Sequence, residues 1–134
     1  MDLHITDVDF ISIPSQDLAR SRAFYVDLLG LPVDTDMSRW VEVLAGDVTL
    51  AIWEPESMGF PFAPAPNAIA LRVDDVAARR AELEAAGVTF KGETMDSGVC
   101  HMAMFSDPDG NALMLHRRYA PRTGRAAHQP ETTT

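Results

Sequence analysis

Phe105-Ser106-Asp107-Pro108-Asp109-Gly110-Asn111-Ala112-Leu113-Met114-Leu115-His116 is the stretch from which the rest of the chain can be read. Two apolar runs flank Asp-Pro-Asp-Gly-Asn. In that turn Pro108 presets φ, Asp109 can bond back to the backbone and Gly110 tolerates positive φ. The reading is a hairpin whose loop is Pro108-Asp109-Gly110, closed by Asp107 opposite Asn111. Facing residues of an antiparallel pair point to the same side of the sheet. Met102, Met104, Ala112, Met114 and His116 therefore share one face, and His101, Ala103, Phe105, Leu113 and Leu115 share the other.

At 134 residues the chain is long enough for one domain with its own core. Its 20 acidic against 11 basic residues give a net charge of −9. That balance describes a solvated acidic surface and counts against nucleic acid or an anionic membrane as partner. The single cysteine, Cys100, excludes an internal disulfide and fits a reducing compartment. No apolar run approaches the ~20 residues that span a bilayer, and Met1-Asp2-Leu3-His4 does not open a secretory signal. A cytoplasmic location is the expectation.

Outward from the hairpin, Val8–Pro14 reads as a strand that Pro14 ends. Ser15 or Asp17 caps a helix over Leu18–Leu29, with Phe24, Tyr25, Leu28 and Leu29 on its apolar side, and Gly30 stops it. A short strand is expected near Leu31–Val33. Trp40–Leu44 and Val48–Trp53, joined at Gly46-Asp47, form a hairpin. Glu54–Asn67, with four prolines and two phenylalanines, is read as an irregular connector or a flap over a site. The pattern then restarts. Ala68–Val73 is a strand, Asp74 or Asp75 caps a helix over Val76–Ala86, Gly87 ends it, and Val88–Phe90 is a short strand before the opening hairpin. Phe10-Ile-Ser-Ile matches Ala68-Ile-Ala-Leu, and Asp17-Leu18-Ala19 matches Asp75-Val76-Ala77 at the same offset, so the chain reads as two copies of one βαβββ unit. Residues 1–119 make a single α+β domain, with module one at 6–54, a connector at 55–67 and module two at 68–119. Residues 120–134 lack periodicity and are expected to form a disordered tail.

This duplication, together with Ser21-Arg22-Ala23-Phe24-Tyr25 leading to Leu28-Leu29-Gly30-Leu31, Val73-Asp74-Asp75-Val76, and the Asp-Pro-Asp-Gly-Asn turn, resembles the vicinal-oxygen-chelate superfamily. That group holds glyoxalase I, extradiol dioxygenases, fosfomycin-resistance enzymes and bleomycin-resistance binding proteins. The resemblance covers Val8 to Tyr119. It implies paired modules whose mixed sheets curl around a shared cavity, often completed by a second subunit, so a homodimer is expected. Function is less constrained, because the superfamily spans isomerases, oxygenases, transferases and pure binders.

Metal-dependent members carry His, Glu or Gln ligands on the first and last strands of each module. Those four positions fall here on Phe10, Ala51, Ala68 and Met114, none of which offers a hard ion an imidazole or carboxylate. The histidines His4, His101, His116 and His128 build no alternative site, because no pair has ligand spacing. No metal and no cofactor are expected.

Hairpin logic in module one puts Trp40, Glu42, Thr49, Ala51 and Trp53 on the face of the lost ligands, with Phe10 and Ser12 joining from the first strand. Module two adds Ala68, Ala70 and Arg72, then Cys100, Met102, Met104, Met114 and His116. This lining is apolar, aromatic and sulfur-rich with few polar groups, the composition of a small-molecule pocket. Trp40 and Trp53 could stack on a planar ligand or serve as core aromatics. The methionines offer adaptable surface or fill gaps. Glu42 and Arg72 either pair with each other or serve a ligand, since an inward charge needs a partner. His101 reads as a hydrogen-bonded core histidine on the helix side.

Two functions follow. The first is a metal-independent protein that binds a small hydrophobic or aromatic molecule, as bleomycin-resistance proteins do. The second is a metal-independent lyase, isomerase or cyclase that uses Glu42 or His116 for acid–base chemistry, with Arg72 steadying an anionic intermediate. A metal-dependent glyoxalase or dioxygenase is contradicted by Phe10, Ala51, Ala68 and Met114.

Overall fold

Asp17 and Asp75 start two helices in the same way. Each lies in extended backbone, at φ −153° and −151°, and its carboxylate accepts the N–H of the residue three positions on, Arg20 or Ala78. Gly30 at φ 77° and Gly87 at φ 98° close the two helical segments in the left-handed region, where a side chain would be strained. Around them the computed structural model, which describes residues 1–122, repeats one βαβββ order. The strands are β1 (Ile11–Pro14), β2 (Val33–Met37), β3 (Trp40–Ala45), β4 (Val48–Trp53), β5 (Ile69–Arg72), β6 (Phe90–Asp96), β7 (Cys100–Ser106) and β8 (Ala112–Arg118). The helices are α1 (Leu18–Arg22) and α2 (Val76–Ala85). The sheets run β1-β4-β3-β2 and β5-β8-β7-β6, the same order twice. In the first sheet β1 is parallel to β4 and the other neighbours are antiparallel, so the sheet is mixed.

Contacts divide the chain into two compact units, Met1–Ile69 with Ser106–Leu113, and Ala70–Phe105 with the residues from Met114 onward. In the first unit Ile13, Val41, Val43, Leu50 and Ile52 are buried on one sheet face, with Leu18, Phe24 and Tyr25 of the helical segment also in the core. In the second unit Val76 and Leu83 of α2 are buried along with Phe90, Ala103, Phe105 and Leu115. Ala103, Phe105, Leu113 and Leu115 are buried at alternate positions, as the hairpin reading requires, but at the start of β7 Cys100 is buried and His101 is not.

The Asp-Pro-Asp-Gly-Asn turn closes as expected, with the Asp107 N–H donating to the Asn111 carbonyl. Its side chains then anchor the first unit. Asp107, 5 % exposed, accepts the Tyr25 hydroxyl at 2.6 Å, the Asn111 amide side chain at 2.8 Å and the backbone N–H groups of Asp109 and Asn111 at 2.9 Å. Asn111 also donates to the Pro14 carbonyl and accepts from the Ala65 N–H. The Asp109 carboxylate is enclosed and accepts from Gln16 N, Arg20 Nη2 and Ser21 Oγ. Because that carboxylate only accepts, Ser21 donates to it, and Ser15 donates to Ser21 at 2.6 Å. One relay of hydroxyls thus ends in a buried charge, each bond polarising the next.

Tyr25 carries a testable consequence. Burial first, and then the neighbouring Asp107 charge, push its phenol far above the ordinary value of 10. The unfolded chain ionises there at its ordinary value while the folded chain stays protonated, so U binds fewer protons than N and stability falls as pH rises above that value. The expected slope is about 1.4 kcal/mol per pH unit. Urea unfolding between pH 9 and 11 should show it in the wild type and a reduced slope in Tyr25→Phe.

Several boundaries differ from the sequence reading. β1 begins at Ile11, not Val8, because its pairing with β4 starts at Ile11 opposite Leu50. The helix over 18–29 is α-helical only to Arg22 and turns π-helical over Ala23–Leu28, which leaves Leu28 exposed. β2 lies at Val33–Met37, beyond the short strand placed near 31–33, with a bulge after Val33. The connector is not wholly irregular: Pro55–Met58 forms a 3₁₀ turn, which Pro55 at its start permits and Gly59 ends. β6 is not a stub at 88–90 but runs to Asp96, and its register shifts between Lys91 and Met95. His101 is not a core residue. Its side chain is 45 % exposed, sits 3.3 Å from the Asp96 carboxylate and packs on Tyr119 at 4.7 Å. Residues 123–134, most of the expected tail, lie outside the described residues. No described helix is long and apolar enough to cross a membrane.

Candidate functional site

The two-residue turn Gly46-Asp47, with Gly46 at φ 63°, follows the type II′ pattern and fixes the β3–β4 register. Trp40 stands opposite Trp53 and Glu42 opposite Ala51, while β1 places Ser12 beside Ala51 and Pro14 beside Trp53. The face predicted for module one is therefore assembled as read. Four rings run along it. Phe10 meets Trp40 edge-on at 5.2 Å, Trp40 lies 6.3 Å from Trp53, and Trp53 meets Phe60 edge-on at 6.2 Å. T-shaped and tilted contacts satisfy the ring quadrupoles while leaving faces open. Phe10 and Phe60 are 42 % and 56 % exposed.

Beside this row lies a cleft of about 380 Å³, within the range of small-molecule pockets. Ser12, Pro14 and Trp53 supply its floor, and Pro55, Phe60, Pro61 and Ala63 of the connector supply its wall. Glu54 holds the connector's root, since its carboxylate accepts the Leu18 N–H at 2.9 Å and its carbonyl accepts from Ser57. Glu42 is not an unexplained charge, because Trp40 Nε1 donates to it at 2.7 Å and keeps both side chains on the open face. Ala51 is fully buried, does not line the cleft and offers a ligand no surface. Ala68 is half-buried just before β5.

The remaining predicted residues belong to the second unit. Met102, Met104, Met114 and His116 are half-buried, Cys100 is buried with a free thiol, and Arg72 is exposed. Arg72 and His116 line a hollow of that unit with other arginines. The connector wall was missed as a set of named residues. Its signal was two phenylalanines among prolines, apolar groups that neither periodicity could assign to a core.

The positions that the resemblance assigns to metal ligands hold Phe10, Ala51, Ala68 and Met114. A phenyl ring, two methyls and a thioether do not fit a hard divalent cation. Among the described residues, no three His, Cys, Asp or Glu side chains are grouped to hold one.

A family model, Glyoxalase/Bleomycin resistance protein/Dioxygenase superfamily, matches residues 5–115. The chain is 33% identical over 128 residues to the uncharacterized protein YaeR of Escherichia coli (strain K12), covering 87% of this chain and 99% of that one. Among solved structures it resembles TnmS3, an antibiotic binding protein from Streptomyces sp. CB03234, at TM-score 0.73 and 30% identity, over 87% of this chain and 98% of that one. A glyoxalase/bleomycin resistance protein from the same Streptomyces matches at TM-score 0.66 and 32% identity, over 79% and 96% of the two chains.

Proposed function

Because the chain belongs to the Glyoxalase/Bleomycin resistance protein/Dioxygenase superfamily, we propose that it is one of the members that hold a small molecule without a metal, and that the ligand is planar and aromatic. The observation that carries this reading is the row Phe10, Trp40, Trp53 and Phe60, open along one face and ending in the cleft under the connector. A planar ring laid across Trp53 removes apolar surface from water on both partners, at about 25 cal/mol per Å². Ser12 at the cleft floor and the Glu42 carboxylate on the same face supply the few polar groups that would orient it. The acidic surface favours a ligand with a cationic group. The likeness to TnmS3, an antibiotic binding protein, supports the binding reading without bearing on the shape of the ligand. Homodimer formation is part of the proposal and is supported by Val8, Phe10 and Ile11, exposed apolar residues along the edge strand β1 and its lead-in.

Trp40 and Trp53 are the chain's two tryptophans and both lie on this face, so their fluorescence reports the site. Titrating a panel of polycyclic aromatic compounds, cationic and neutral, should give saturable quenching by at least one, with the compound recovered chemically unchanged after long incubation. Turnover that disappears in Glu42→Gln or His116→Ala would replace the binding reading with the enzymatic one. Stoichiometric metal in the purified protein, with quenching that depends on it, would overturn metal independence.

A further inference from the structure

We propose that the second unit carries an oxyanion-binding site, independent of the aromatic cleft. Arg72 at the end of β5, His116, Arg117 and Arg118 at the end of β8, and Arg122 just beyond converge on one hollow of about 310 Å³. The strand ends are brought together by the Val73 N–H donating to the His116 carbonyl.

The gathering of unpaired arginines in one place carries the inference; Arg39 also lacks a carboxylate partner among the described residues but does not line this hollow. Acidic residues outnumber basic ones 20 to 11, so a cation finds a carboxylate easily. Arg20, Arg22 and Arg80 pair with Asp109, Asp36 and Glu84 at 2.8, 2.8 and 3.1 Å, and Arg79 pairs with Glu82 at 2.9 Å. Arg72, Arg117, Arg118 and Arg122 have no carboxylate partner among the described residues, although they line one concavity where their charges repel. Arg118 adds a donor at the hollow. Its Nη2 donates to the Pro121 carbonyl at 3.0 Å, while its Nε, like that of Arg79 elsewhere, is buried without a hydrogen-bond partner among the described residues. A buried donor left unpaired is costly, and a charged acceptor oxygen satisfies it. Guanidinium forks match tetrahedral and carboxylate oxyanions, and the small volume suits a compact one. A phosphate group, free or as a monoester, has the charge to offset several arginines at once.

Calorimetric titration with inorganic phosphate and with phenyl phosphate, at ionic strength held constant with chloride, tests this. Saturable single-site binding is expected, with the Arg118 Nε–H resonance shifting in NMR spectra. The tighter of the two probes identifies free phosphate or a monoester as the natural form. Arg72→Gln combined with Arg122→Gln should weaken binding by about tenfold or more, as loss of charge-assisted contacts predicts. Both side chains have no partner among the described residues, so the thermal midpoint in chloride should stay unchanged, and Arg118→Lys provides a variant that keeps the charge but loses the fork. Absence of saturation with either probe, or undiminished binding by the double variant, overturns the proposal. The tryptophan titration reads the other unit, so the two ideas fail separately.

Discussion

Asp107→Ala is expected to lower the unfolding free energy by about 3–5 kcal/mol. The residue is 5 % exposed, and its carboxylate accepts four hydrogen bonds, from a tyrosine hydroxyl, an amide side chain and two backbone N–H groups. Alanine leaves the hydroxyl of Tyr25, itself fully buried, without an acceptor, and each such orphan costs about 1–3 kcal/mol. The same change unties Asn111, which links the turn to Pro14 and Ala65. Asp107→Asn keeps one acceptor oxygen but turns an amide donor toward groups that already donate, so about half the loss is expected. Pro108→Ala, exposed in the same turn, serves as the control and should cost under about 1 kcal/mol. Urea unfolding followed by tryptophan fluorescence measures all three. An Asp107→Ala midpoint equal to that of Pro108→Ala would show that the loop conformation, not the carboxylate, holds the turn.

This turn also marks where the sequence stops being legible. That Asp-Pro-Asp-Gly-Asn forms a hairpin, and which residues alternate on its strands, follows from local rules: proline's φ, glycine's freedom and the two-residue period. The caps were readable to within two candidates each, Ser15 or Asp17 and Asp74 or Asp75, of which Asp17 and Asp75 serve, and the face shared by Trp40, Glu42, Ala51 and Trp53 was readable for the same reason. What Asp107 and Asp109 grip was not readable, since Tyr25 and Ser21 lie more than 80 positions away and spacing carries no information about such partners. The π-helical turn over Ala23–Leu28 was hidden because its residues suit an α-helix equally well; the packing of Phe24 and Tyr25 prevails over propensity. β6 was underestimated because Lys91, Gly92, Glu93 and Thr94 give no apolar alternation, and an edge strand of a sheet needs none. The cleft wall was hidden for a different reason, since Phe60 and Trp53 are close in sequence but an irregular connector has no period to say which way its side chains turn. Phe60 gains meaning only when the connector folds back against Trp53.

Trp53→Ala is the substitution expected to weaken an aromatic ligand most, by about 10–100-fold, or ~1.4–2.8 kcal/mol. Trp53 both belongs to the row and lines the cleft, and it touches Trp40 on one side and Phe60 on the other. Binding energy concentrates on such central, partly desolvated aromatics. Removing the indole also loosens the sheet face, so weaker binding alone would not separate recognition from folding. Phe60→Ala makes the separation. Its ring is 56 % exposed on the connector, so its loss should change stability by under about 0.5 kcal/mol while still weakening the ligand several-fold. Affinity measured by calorimetry, beside urea midpoints for each variant, gives the two axes. If both variants lose affinity only in proportion to stability, the row is a core feature and the ligand lies elsewhere. If Phe60→Ala loses affinity at unchanged stability, the connector wall contacts the ligand directly, and the cleft between it and Trp53 is where the guest sits.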